Sequence, residues 1–417
     1  MANLRMPRAR LSRLDARDVS EWGTLNTPPN KVSEFRPLLQ AKVRIVWHIP
    51  SVMKPRTAIA ALTAVGALSL TLASASGQVT IIEPSSGNLF TDVTCLSADG
   101  RSISGDSSGF AGIVPFIWKA DTGRVDLTSE PRWARQNFSP QALSGDGSVM
   151  VGAAVLQNER VHAFRWNGVG TLQDLGTVGD YRYSWASAVS RGGRYIAGEL
   201  SWDRYRDTNT FIWSAETGMQ ALGDVPWGGS TGTVAVSQDG NTVVGESSTG
   251  IGTSWLWTRS SGYSVLPQLN RPGAIGTRAT AANADCSIIV GAVSSFTAAI
   301  MWTESGVEEL GQMIPSGVDD LGTVVIGADS LQNQALIWTR ATGVIPFTAY
   351  LSSMNITTPE WFDPYRLTGI SADGMTICGN TRSQSGSRGF VVHVPTSSSI
   401  TGIAMISLAT RRRRPVA

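Results

Sequence analysis

Leu143-Ser144-Gly145-Asp146-Gly147-Ser148-Val149-Met150-Val151-Gly152, followed after a variable gap by His162-Ala163-Phe164-Arg165-Trp166, is one copy of a pattern that runs down the chain. Its Ser-x-Asp-Gly turn returns as Ser97-Ala98-Asp99-Gly100, Ser190-Arg191-Gly192-Gly193, Ser237-Gln238-Asp239-Gly240 and Ser371-Ala372-Asp373-Gly374. Weaker copies stand at Asn283-Ala284-Asp285-Cys286 and Asp319-Asp320-Leu321-Gly322. Seven copies at a period of roughly 36 to 50 residues specify a stacked or circular array, not a chain with one catalytic core.

Within the copy, Gln141–Ser144 reads as a strand turned by Gly145-Asp146-Gly147, and Ser148–Gly152 as a second strand. His162–Trp166 is a third, turned by Asn167-Gly168, and Gly170–Leu175 leads into a fourth that ends at Gly176. Asp-Gly and Asn-Gly suit tight hairpins because the turn positions need positive φ. Four short antiparallel strands in about 45 residues make one β-propeller blade. The expected fold is all-β: a seven-bladed propeller of four-stranded antiparallel blades, with six or eight blades as alternatives. The third strands set the register through Trp118, Trp166, Trp213, Trp257, Trp302 and Trp338, with Val392 in the seventh place. These side chains are expected to pack between neighbouring blades. The seventh copy lacks a fourth strand, while Gln78–Glu83 has no unit of its own. That N-terminal segment is therefore predicted to pair into the last blade and close the ring, which removes exposed sheet edges.

The formal charge of the whole chain is +2, yet residues 78–410 carry 19 Arg/Lys against 28 Asp/Glu, a net charge near −9. An acidic repeat region argues against nucleic acid as a partner. Three cysteines are too few for a disulfide scaffold, although a closed ring would make Cys95 and Cys378 neighbours. No metal-ligand spacing, calcium loop or nucleophile elbow stands out, so neither metal nor cofactor is expected.

Met53-Lys54-Pro55-Arg56, the apolar run Thr57–Leu72 and Ala73-Ser74-Ala75 have the three parts of a signal peptide, assigned to residues 53–77. Residues 1–52 then read as a leader ahead of the true start or a disordered extension. Residues 78–395 hold the repeats. Residues 396–417 hold a short apolar segment, Ile400–Leu408, and the cluster Arg411–Arg414. This tail resembles PEP-CTERM sorting tails, without the full Pro-Glu-Pro; a plain basic tail is the alternative. The repeats resemble the extracellular HAF-repeat family, whose tripeptide stands here as His162-Ala163-Phe164, flanked by Ala235-Val236-Ser237-Gln238-Asp239-Gly240 and Val243-Val244-Gly245. The resemblance covers roughly residues 90–395. It implies export to the cell surface or medium through the general secretory route, and carries no catalytic residues.

In a propeller the loops leading into each blade share a face with those joining second and third strands. Here they are aromatic: Trp133, Tyr181, Tyr183, Trp185, Trp227 and Trp361 in the first set, and Trp202-Asp203-Arg204-Tyr205-Arg206 in the second. Flat rings beside Asp and Arg suit sugar binding, and the same composition marks protein interfaces. Packing of these rings onto the top of the ring is the structural alternative. Glu199, Asp203 and Asp207 form the densest acidic set expected in a face loop. The resulting expectation is a non-catalytic exported module binding polysaccharide or another exported protein, with transient membrane contact through the tail. A purely structural envelope protein and a carbohydrate-active hydrolase are the rivals.

Overall fold

The computed structural model describes residues 77–395 except 111, 128–132, 158–159, 169–171, 204–207, 249–251, 295–297, 330–332 and 385; for 133–138 it describes the backbone path alone. The leader, the signal-type segment and the tail lie outside the described residues.

Seven four-stranded antiparallel sheets make a seven-bladed propeller. The first strands of the blades are Asn88–Leu96, Trp133–Leu143, Tyr183–Val189, Thr231–Val236, Thr277–Ala282, Ile314–Val318 and Asp363–Ile370. Each touches the next in a cycle that closes from the seventh back to the first, so these strands line the axis. Blade 7 is completed by Val79–Ile82, which pairs antiparallel with Gly386–His393 in the register Val79↔Val392 to Ile82↔Gly389. The predicted closure is therefore formed. A short helix, Phe347–Ser353, sits before blade 7 and buries Phe347, Tyr350 and Leu351 in that blade's core.

The repeat motif has a physical reason at each position. Ser144 donates its hydroxyl hydrogen to Asp146 Oδ1 at 2.7 Å and accepts the Val149 N–H at 2.9 Å, while Asp146 also accepts the Ser148 N–H. Ser97, Ser237 and Ser371 repeat these contacts. In the weak copies Asn283 and Asp319 replace the Ser and accept the matching backbone N–H with a side-chain oxygen. Cys286, in the glycine place of its turn, adopts φ 61°. The turns also join blade to blade: Asp99 N–H bonds to Gly145 O, Gly145 to Arg191 O, Gln238 to Ala284 O, Asp320 to Ala372 O and Ala372 to Ala98 O.

The glycine that ends the second strand's Val-Gly is there for space. Every inner strand carries a β-bulge at the same place, on Thr94, Gln141, Ser187, Val234, Thr280, Ser316 and Thr368. The bulge bends the inner strand over its neighbour, and a Cβ on Gly152 would run into the carbonyl oxygen of Ser139. Phe164 lies opposite Gly152 and covers it, fully buried. Phe116, Phe211, Trp255 and Phe390 do the same in their blades. Each such ring contributes about 1.5–3 kcal/mol of apolar burial. The register tryptophans two residues on pack around these cores, with Trp213, Trp302 and Trp338 buried. Cys95 and Cys378 are both free thiols; Cys95 Sγ lies 2.7 Å from Ser104 Oγ.

Candidate functional site

The seven bulged residues all line the axial channel, which widens into linked cavities. At the end formed by the Ser-x-Asp-Gly turns, Arg191 of blade 3 and Asp320 of blade 6 meet across the axis at 2.5 Å. Towards the loop face one cavity of about 810 Å³ includes Glu246, Arg278 and Arg366. Another, of about 530 Å³, lies against blades 1 to 3 and is lined by Asp106, Ile113, Ser139, Gln141, Ser187, Trp185 and Glu199, with small apolar residues of blade 2. Gln141 and Ser187 line both.

The acidic groups of this mouth come from strands. Glu199 belongs to Ile196–Ser201, not to a face loop as expected; its strand simply runs on past the Gly198 that stands opposite the bulge. One carboxylate oxygen accepts the Ser187 hydroxyl at 2.6 Å and the other the Thr233 N–H of blade 4. Burial pushes its pKa up, against the pull of these hydrogen bonds. Burial likewise raises Asp106, and Asp92, directly opposite in register, adds to the effect, while the charge of Arg124 opposes it. Glu246 is raised by burial and held back by its ion pair with Arg278 at 2.9 Å. Of the acidic set read from sequence, Asp203 is exposed and Asp207 lies outside the described residues.

The aromatic candidates divide. Tyr181 and Trp202 stack at 4.6 Å, and Tyr183 and Trp185 at 6.1 Å, both beside blade 3. Tyr181 is tied down by Asn209, whose amide donates to its hydroxyl oxygen at 2.6 Å, while Trp202 stays 47% exposed. Of these four, Trp185 alone lines the 530 Å³ cavity. Trp227 donates its indole N–H to Ser247 and lines a separate apolar cavity of about 370 Å³ with Val265 and Ile275. Trp361 stands exposed in the loop into blade 7. Trp133 begins the inner strand of blade 2; its side chain, like Arg204, Tyr205 and Arg206, lies outside what is described. Sequence reasoning missed Asp106, Gln141, Ser187 and Glu246. For Asp106 and Glu246 the signal was the residue following the second-strand glycine, which is polar or charged in some repeats and alanine in others; Gln141 and Ser187 are bulge residues of the inner strands, which nothing in the sequence marks.

The fold is shared with solved structures of low identity. An oligogalacturonate lyase from Vibrio parahaemolyticus matches with a TM-score of 0.51 at 13% identity, covering 77% of this chain and 98% of its own. An oligogalacturonate lyase in complex with manganese matches at 0.50 and 12%, covering 76% and 91%. A prolyl endopeptidase matches at 0.50 and 10%, with 74% of this chain covered and 51% of the other. Likeness at these identities shows the fold alone. No protein-family model and no curated protein matches the sequence.

Proposed function

We propose that this propeller is an exported, non-catalytic module that binds polysaccharide at its channel mouth. The observation that carries the reading is Trp185: a half-buried ring that lines a cavity together with two carboxylates, an amide and two serine hydroxyls. A flat apolar surface edged by convergent polar groups is the usual make-up of a small-ligand site. A sugar offers the complement, an apolar ring face and a rim of hydroxyls. At the far end the Arg191–Asp320 pair spans the channel. Export is supported by the signal-type segment and by the HAF-like repeats.

The test is binding of the source cell's own extracellular polysaccharide to the full chain and to Trp185→Ala. We expect the wild type to bind and the variant to lose at least tenfold in affinity, equivalent to about 1.4 kcal/mol. Absence of binding by the wild type would overturn the reading in favour of a protein partner or a structural role. The two carboxylates in one cavity, Asp106 and Glu199, favour hydrolysis as the second reading; release of short saccharides on incubation, abolished by Asp106→Asn, would establish it instead.

A further inference from the structure

The residue after the second-strand glycine does the same work in two of the four blades that carry a polar group there. It reaches the next blade at the residue just before the bulge. Asn380 of blade 7 accepts the Val93 N–H at 2.8 Å and donates to Val93 O at 3.1 Å. Glu199 of blade 3 accepts the Thr233 N–H. In blade 4 the corresponding N–H, on Ala279, already goes to Ser254 Oγ, and Glu246 pairs with the adjacent Arg278 instead. Between blades 5 and 6 the pre-bulge residue is Pro315, which has no N–H, and the position that would need one is Ala292.

Blade 1 breaks this matching. Its residue is Asp106, and the pre-bulge residue of blade 2 is Pro140. Proline has no N–H to offer, and among the described residues the Asp106 carboxylate has no hydrogen bond or ion pair. It also faces Asp92 across the strand pair, a like-charge arrangement that costs stability. Among the described residues its carboxylate is thus left without an interblade role on the wall of the 530 Å³ cavity, beside Trp185 and Glu199; no described basic side chain lines that cavity, and Arg124 acts on Asp106 only through its charge.

We infer that Asp106 is a ligand-binding residue and that this cavity takes a sugar unit bearing a free amine, its ammonium held by Asp106 and its ring stacked on Trp185. A charged donor to a carboxylate is among the stronger hydrogen bonds, and a cation over an indole face is favoured further. The inference rests on the polysaccharide-binding reading and narrows it.

The probes are oligomers of glucosamine and the matching N-acetylglucosamine oligomers, titrated calorimetrically into the full chain, Asp106→Asn and Trp185→Ala. We expect the free amine to bind at least tenfold tighter than the acetylated form. Asp106→Asn should erase that preference with a thermal midpoint equal to or above that of the wild type, because it relieves the repulsion from Asp92, and Trp185→Ala should weaken both ligands. Equal binding of the two oligomers, or a preference that survives Asp106→Asn, overturns the amine assignment and leaves glycan binding standing. So does binding of neither oligomer by a protein that still binds native polysaccharide; binding of no saccharide at all removes both. A fall in midpoint for Asp106→Asn returns the residue to a structural role and overturns its assignment to the ligand.

Discussion

Asp239 shows how one carboxylate holds a whole turn. It accepts the Ser237 hydroxyl at 2.6 Å, the Asn241 N–H at 3.0 Å and the Asn241 side-chain amide at 2.8 Å. The Ser237 bond is the main cause of a pKa lowered from 3.8. Asp146, held chiefly by the Ser148 N–H, and Asp285, held chiefly by Ser287, are lowered too. A carboxyl whose folded pKa lies below its unfolded value stabilises the fold above the unfolded value and loses that contribution as pH falls through the folded one. Stability should therefore decline as pH drops below about 4. Asp239→Asn is expected to cost about 0.5–1 kcal/mol at pH 7, the exposed site limiting the effect. The gap between variant and wild type should narrow towards pH 3, as measured by urea unfolding at both values. A gap that stays constant would mean that the charge is not what holds the turn.

At the scale of the strand, the interblade clips make a prediction for Asp106. Pro140→Ala would give blade 2 a pre-bulge N–H within the register of Asp106. The new charge-assisted bond, worth about 1.5–3 kcal/mol, is opposed by about 0.4–1 kcal/mol from the freer unfolded chain. The variant should gain about 1 kcal/mol in urea unfolding and bind ligand more weakly, because Asp106 would be recruited to the frame. Unchanged stability would show that Asp106 does not reach the next blade as Glu199 does. The strands and turns themselves were legible in the sequence because their reasons are local: Asp-Gly needs only its own hydrogen bonds, and Val-Gly only the strand beside it. The channel groups were not legible. Glu199 was read into a loop because nothing local marks how far its strand runs. The freedom of Asp106 depends on a proline in the following repeat, and so on a register that only the paired sheets reveal. The aromatic residues were visible by type, but Trp185 and Tyr183 lie in the inner strand Tyr183–Val189 and not in the entry loop where they were expected, whereas Tyr181 and Trp202 lie outside the strands.

For the molecule as a whole, the joined ends of blade 7 should dominate stability. Deleting Gln78–Pro84 removes the Val79 and Ile82 side chains from the core, about 3–6 kcal/mol in burial alone, and exposes the edge of Gly386–His393 to foreign strands. Calorimetry should show a large fall in the melting temperature, and light scattering should show association. A melting curve like that of the wild type would mean the ring does not need its closing strand.

The same closure has a mechanical side. Val79 and Val392 are the outermost partners of an antiparallel pair, so both ends of the propeller leave from one end of one ladder. Tension between residues 77 and 395 then loads the Val79–Val392 partners first and parts the strands one pair at a time, like a zip. Chains tethered at both ends would yield at low force in blade 7 while the other six blades still hold.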